Sequence, residues 1–102
     1  MAGETRRLSP PGEPDVRTLL AILAELELRG GLVRESDLLR GLRPLGSPAR
    51  RRRLLRWSIV ELLVLSETRT AIDRATGRTF PVEVYRLNRA NPRVAALLGD
   101  EW

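Results

Sequence analysis

Apolar residues recur at helical spacing along three stretches of the chain and give way to β-rich segments after the third. In the first stretch, Val16, Leu19, Leu20, Leu23 and Leu26 follow an i, i+3, i+4 rhythm within DVRTLLAILAELELRG. That rhythm predicts a helix with Asp15 as its cap and Gly30-Gly31 as its stop. Ile22 and Leu28 widen the stripe, so the helix is expected to pack on more than one side. Leu32 and Val33 form a very short extended piece. Glu35, Ser36 and Asp37 then offer caps for a second helix, residues 36–42, which buries Leu38, Leu39 and Leu42. Arg43-Pro44-Leu45-Gly46 reads as a turn.

The third stretch, SPARRRRLLRWSIVELLVL at 47–65, is the most informative. Ser47 can cap the free amides of the first turn, and Pro48 suits the first helical position, where its missing N–H has no intrahelical partner. At 100° per residue, Leu55, Ile59 and Leu62 fall on one side, flanked by Arg52 and Leu63, and form the expected core face. Arg50, Arg53, Trp57 and Glu61 lie opposite. Leu54, Val60 and Val64 leave the C-terminal half apolar nearly all round, so Trp57 either meets a partner or is covered by another segment. The four arginines at 50–53 oppose the helix dipole, which favours acids at this end. They read as a solvated helix start or as a docking surface for an anion, and the unfavourable placement favours the second.

Residues 66–72 and 79–87 are β-rich, with Val82, Val84 and Arg86 alternating against Glu83, Tyr85 and Leu87. The connection 73–78 carries Gly77 together with Arg74 and Arg78, which predicts a β-hairpin with a basic tip. Pro81 belongs where a missing donor is tolerated, at an edge or near the strand start. Asn91-Pro92 reads as the cap and first position of a last short helix, 92–98, with Val94, Leu97 and Leu98 as its apolar face and Gly99 as its close. Three prolines and two glycines without periodicity make 1–14 an expected flexible arm, in which Arg6 and Arg7 are read as part of an inert tail. The division is therefore arm 1–14, one domain at 15–98, and a tail at 99–102 that ends in Trp102.

The length of 102 residues suits one domain with a real core. The sequence contains no cysteine and no histidine. This takes away disulfides, thiolate zinc sites and the commonest general base, leaving only carboxylates. Glu25 with Glu27 and Glu35 with Asp37 are paired only in sequence; two residues apart on a helix they diverge, so neither an enzyme nor a metal or cofactor site is expected. All eighteen cationic side chains are arginines, against thirteen acids, for a net charge of +5. Between Arg34 and Arg78 there are eleven arginines and five acids; the rest of the chain has seven and eight. The positive charge is thus central, which fits a nucleic-acid footprint better than general solubility. With no secretory leader and no apolar run of membrane-spanning length, a soluble cytoplasmic protein is expected.

The order helix, short strand, helix, basic helix, hairpin resembles the winged-helix DNA-binding domains of small prokaryotic regulators, the ArsR, MarR and PadR-like group. Three phrases carry the likeness: GLVRESDLL (31–39), SPARRRRLLRWSIVELLVLSE (47–67) and TGRTFPVEVYRLNRANP (76–92). The resemblance covers about 15–98 and implies an α+β, mostly helical fold: a three-helix helix-turn-helix core, a β-hairpin wing and a short C-terminal helix. Such regulators usually have a Gly-Leu pair where the recognition helix ends. Leu62-Leu63-Val64-Leu65 has no glycine, so the helix is expected to end elsewhere or to run long, over 47–64.

The resemblance further implies double-stranded DNA as partner. Ser47, Arg50, Arg51, Arg53 and Trp57 would face it from the recognition helix, and Arg74 and Arg78 from the wing (66–87). Guanidinium groups bind phosphate or guanine edges bidentately, which agrees with the chemistry. A homodimer reading two half-sites is implied too, with Val94, Leu97, Leu98 and Trp102 as interface candidates. The alternative is a winged-helix protein-interaction module in a larger assembly, using the apolar face around Trp57.

Overall fold

The computed structural model describes residues 10–99. Among them are four α-helices and one antiparallel hairpin: α1 (Glu13–Leu28), α2 (Glu35–Gly41), a 3₁₀ turn (Arg43–Leu45), α3 (Pro48–Val60), β1 (Val64–Ile72), β2 (Thr79–Leu87) and α4 (Pro92–Leu98). The protein is α+β, as the pattern predicts. Arg6, Arg7 and Trp102 lie outside the described residues.

α1 is the hub. It buries Val16, Leu19, Leu20, Leu23 and Ala24 and packs against α2, α3, β2 and α4. Leu19, Leu20 and Leu23 are wholly removed from solvent, each stabilising the fold by about 2 kcal/mol. The helix begins earlier than its sequence suggests. Gly12 is the cap, Pro14 sits in the first turn, and Asp15 is an acid within that turn rather than the cap. Glu13 and Asp15 there complement the helix dipole. Leu28, expected to pack, is exposed at the rim of an open cleft between α1 and α4.

The extended piece after α1 leans on β2, with the Tyr85 N–H donating to the Val33 carbonyl (2.9 Å). At the start of α2 the Asp37 carboxylate accepts from the Arg34 N–H (3.3 Å), one half of a capping box. Leu38 and Leu42 are buried and Leu39 is partly so.

α3 ends at Val60, not near residue 64. Glu61 is its C-cap, and Leu62 takes a left-handed φ of 61°. The Leu62 N–H donates to Ile59 (3.0 Å) and the Leu63 N–H to Ser58 (2.9 Å), which is the paired closure of a Schellman motif. The core face of α3 is also rotated from the predicted one. Leu54, Leu55 and Ser58 are buried, Ile59 is half-buried, and Leu62 is 58% exposed while Leu63 is fully buried. A helix whose C-terminal half is apolar on all sides does not declare its inner face; the early end at Val60 removes Leu62 from the stripe and lets Leu54 and Ser58 turn inward. The Ser58 hydroxyl is satisfied by the Leu54 carbonyl (2.9 Å).

The strands pair in continuous register from Val64 opposite Leu87 to Ile72 opposite Thr79. The Asp73 N–H to Arg78 carbonyl (2.8 Å) and Asn88 N–H to Leu63 carbonyl (3.0 Å) bonds fix the alternation. Residues 65, 67, 69 and 71 of β1 therefore bond to β2, and residues 66, 68, 70 and 72 direct their backbone groups outward. On β2, Pro81 pairs with Thr70, so its missing donor faces the outer edge. The simple alternation expected of β2 fails near the base, where Val84, Tyr85 and Leu87 are all buried, because α1 and α2 pack on that strand.

α4 closes the core. Asn91 caps it by accepting from the Arg93 N–H (3.0 Å), with Pro92 in the first turn. Val94 and Leu98 are buried and Leu97 is half-buried. The Arg17 Nε donates to the Leu97 carbonyl (2.9 Å), tying α4 to α1. No helix among the described residues is long and apolar enough to cross a membrane.

Candidate functional site

The surface to be explained is the start of α3, where four consecutive arginines follow a cap. Ser47 performs that cap: its hydroxyl oxygen accepts from the Arg50 N–H (3.2 Å). Gly46 makes the approach possible. Its φ is 130°, and a Cβ there would sit 2.9 Å from the Arg50 Cδ, so the turn needs a residue without a side chain.

The arginines of the run have different fates. Arg50 reaches across to α1, its Nη2 donating to the Asp15 carboxylate (3.1 Å). Arg51 is turned inward. It precedes Leu54, Leu55 and Ser58 by three, four and seven positions, which places it on the buried stripe. Its Nη1 donates to the Leu39 carbonyl near the end of α2 (2.8 Å), and its Nε is buried without a partner among the described residues. Arg52 lies 4.0 Å from Glu35. Arg53 has no carboxylate within ion-pair distance among the described residues, so of this run it alone projects uncommitted.

Arg56 and Val60 continue the face of Arg53 at i+3 and i+7, with Trp57 along its edge. Arg56 and Val60 are exposed, Val60 by 67%. The sequence pattern does not mark Arg56, nor the exposed Arg43 in the turn before α3. The spacing of Arg53 and Arg56 was the signal, hidden by the louder run before it. Trp57 is half-buried and packs on the core. With Pro11, Gly12, Leu45, Arg50 and Arg53 it lines a cleft of about 150 Å³ between α1 and α3. The chain thus covers Trp57 in part by its own residues before α1.

The hairpin tip is an ordered turn. Asp73 accepts from the Gly77 N–H through its carbonyl (2.7 Å) and from the Ala75 N–H through its carboxylate (2.9 Å); Thr76 accepts from the Arg78 N–H (3.2 Å). Gly77 takes a φ of 73° that suits glycine. The Arg74 and Arg78 side chains emerge from this frame exposed, with no carboxylate partner among the described residues.

Elsewhere among the described residues arginine charge is mostly answered by acids, the exposed Arg34 at the cap of α2 being the exception. Arg17 pairs with Glu13, Arg29 with Glu25, Arg89 with Glu27 and Arg93 with Glu61. Arg69 and Arg86 share Glu67, which holds that carboxyl below its usual range through the Arg69 hydrogen bond first and Arg86 second. Among the described residues the exposed arginines without an acidic partner are Arg34, Arg43, Arg53, Arg56, Arg74 and Arg78; all but Arg34 lie on two features, the outer face of α3 with its leading turn and the hairpin tip. Val94 and Leu98, proposed for an interface, instead lie in the protein's own core, and Leu97 is partly packed on it. No family model, curated protein or solved structure matches this chain.

Proposed function

We propose that this protein binds double-stranded DNA as a winged-helix transcriptional regulator, with α3 as the recognition helix and the hairpin as the wing. The observation that supports the reading is the distribution of charge: among the described residues most exposed arginines have acidic partners, and of the six that do not, five (Arg43, Arg53, Arg56, Arg74 and Arg78) lie on α3, its leading turn or the hairpin tip, with only Arg34 elsewhere. Uncompensated guanidinium groups at a helix start and a hairpin tip are suited to phosphates and guanine edges. Arg53 and Arg56, on the outward face of α3, are the residues placed to reach base edges. Arg43, Arg74 and Arg78, in turns, are suited to the backbone. Arg50 contributes once it exchanges Asp15 for a phosphate, and Ser47 and Arg51 support the helix rather than the DNA.

A second reading, docking of a protein partner, draws on the exposure of Val60 and Leu62 beside Trp57. One titration separates the two. Fluorescence anisotropy of a labelled duplex, followed from about 50 to about 200 mM salt, should show affinity falling by orders of magnitude if several phosphates are engaged. Absence of binding at the lower salt would overturn the DNA reading and favour the protein partner.

A further inference from the structure

The two edges of the hairpin are unlike. Along β2 the outward N–H groups are accounted for where the strand meets the body: Tyr85 donates to Val33, Leu87 donates to the Glu27 carboxylate (2.8 Å), and Pro81 has none to offer. Along β1 the outward groups of Ser66, Thr68 and Thr70 have no backbone partner among the described residues, and all three side chains are exposed. β1 runs for nine residues with no proline and no break in register. An edge of that kind is a template for another strand unless it is protected.

The residues of β1 select the strand. Written about Thr68, the sequence LSETRTA is self-complementary in antiparallel pairing. Thr68 meets Thr68, Glu67 meets Arg69, Ser66 meets Thr70 and Leu65 meets Ala71. The backbone alternation agrees, since Ser66, Thr68 and Thr70 all direct their bonding groups outward. Glu67 and Arg69 then form the close, non-hydrogen-bonded pairs, where side chains interact most strongly. Centring the pairing on Glu67 or Arg69 instead sets like charges directly opposite, which is unfavourable.

We propose that the β1 edge pairs antiparallel with β1 of a second copy of this chain, about a two-fold axis at Thr68. The product is a four-stranded sheet in which Glu67 of each copy answers Arg69 of the other while keeping Arg86 of its own β2. The interface leaves Arg74 and Arg78 at the hairpin tips and does not depend on the DNA reading.

Sedimentation equilibrium of the full chain, from about 10 µM to about 1 mM, tests the dimer, and its variants test the surface. Thr68→Pro removes an outward N–H while keeping the β1–β2 backbone bonds, at the loss of the Thr68 hydroxyl bond to Glu83 (2.9 Å), and should raise the dissociation constant about tenfold or more. Glu67→Arg and Arg69→Glu should each weaken the dimer similarly, and the double reversal should restore it to within a few-fold. Because the chain has no cysteine, Thr68→Cys gives an independent readout in an otherwise intact strand. Two such residues lie about 5.5 Å apart, within disulfide range. Mild oxidation should trap a dimer with Thr68→Cys and not with Thr70→Cys, whose sulfurs start from positions more than about 13 Å apart. A monomer at every concentration overturns the proposal. So does a dimer indifferent to these substitutions at unchanged melting temperature, or equal trapping by the two cysteine variants.

Discussion

The Asn91 side-chain amide donates to the Leu62 carbonyl at 3.0 Å, joining the cap of the last helix to the exit of the basic one. Asn88 donates to the same carbonyl at 2.8 Å. Leu62 sits at φ 61°, a conformation that costs a residue with a Cβ about 1 kcal/mol or more. The two asparagines thus hold in place a turn that the local sequence disfavours. Replacing Leu62 by glycine relieves the backbone while giving up a largely exposed side chain, so Leu62→Gly should stabilise the protein by about 0.5 to 1 kcal/mol. Asn91→Ala should destabilise it by about 1 to 2 kcal/mol, because that residue also caps α4. Urea unfolding of the two variants, compared at equal m-value, checks both.

Much of this arrangement was legible in the sequence. Ser47-Pro48 and Asn91-Pro92 announced their helix starts, and Gly77 with its flanking β-rich runs announced the hairpin. These signals are local, so tertiary packing had nothing to override. The end of α3 was not legible, because no glycine marks it and the support for Leu62 comes from Asn88 and Asn91, more than twenty residues away. The fates of Arg50 and Arg51 were hidden for the same reason. Asp15 and the Leu39 carbonyl become their partners only once α1 and α2 are packed on α3.

Those fates predict a division of labour within one arginine run. Arg53→Ala with Arg56→Ala should weaken duplex binding by tenfold or more and flatten its salt dependence, while the melting temperature stays within about 1 °C. Arg51→Ala should behave in the opposite way. It removes the stronger of two bonds to the Leu39 carbonyl, which keeps only the Leu42 N–H (3.2 Å), and empties part of the interface between α2 and α3, so stability should fall by about 1 kcal/mol. Parallel anisotropy and thermal melts would expose the reverse pattern, which would contradict the assignment of Arg53 and Arg56 to the outer face.

Glu27 is the acid on which the base of the hairpin rests. Its Oε2 accepts from the Leu87 N–H (2.8 Å) and its Oε1 lies 2.8 Å from Arg89, with the side chain only 18% exposed. A charge-assisted bond to an outward strand N–H is stronger than a neutral one. Glu27→Ala should therefore cost about 2 kcal/mol, and Glu27→Gln, which retains an acceptor, about half as much. Hydrogen exchange at the Leu87 amide locates the effect: protection should fall in the alanine variant and persist in the glutamine one.

Tyr85 sets an alkaline limit. Burial raises its phenol above the usual value of about 10, and the nearby carboxylates of Glu35 and Glu83 raise it further. The neutral phenol is thus favoured in the folded protein, and the unfolded chain releases that proton first. The stability linked to this group is complete below about pH 10 and is lost as pH rises from the unfolded pKa through the folded one. Tyr85 is the single tyrosine of the chain, so absorbance near 295 nm reports it without overlap from another phenol. The native titration should lie above that of the chain in urea, and Tyr85→Phe should flatten the fall in stability over the same alkaline window. Coincident native and unfolded titrations would mean that the phenol is solvated, contrary to its burial against α1 and α2.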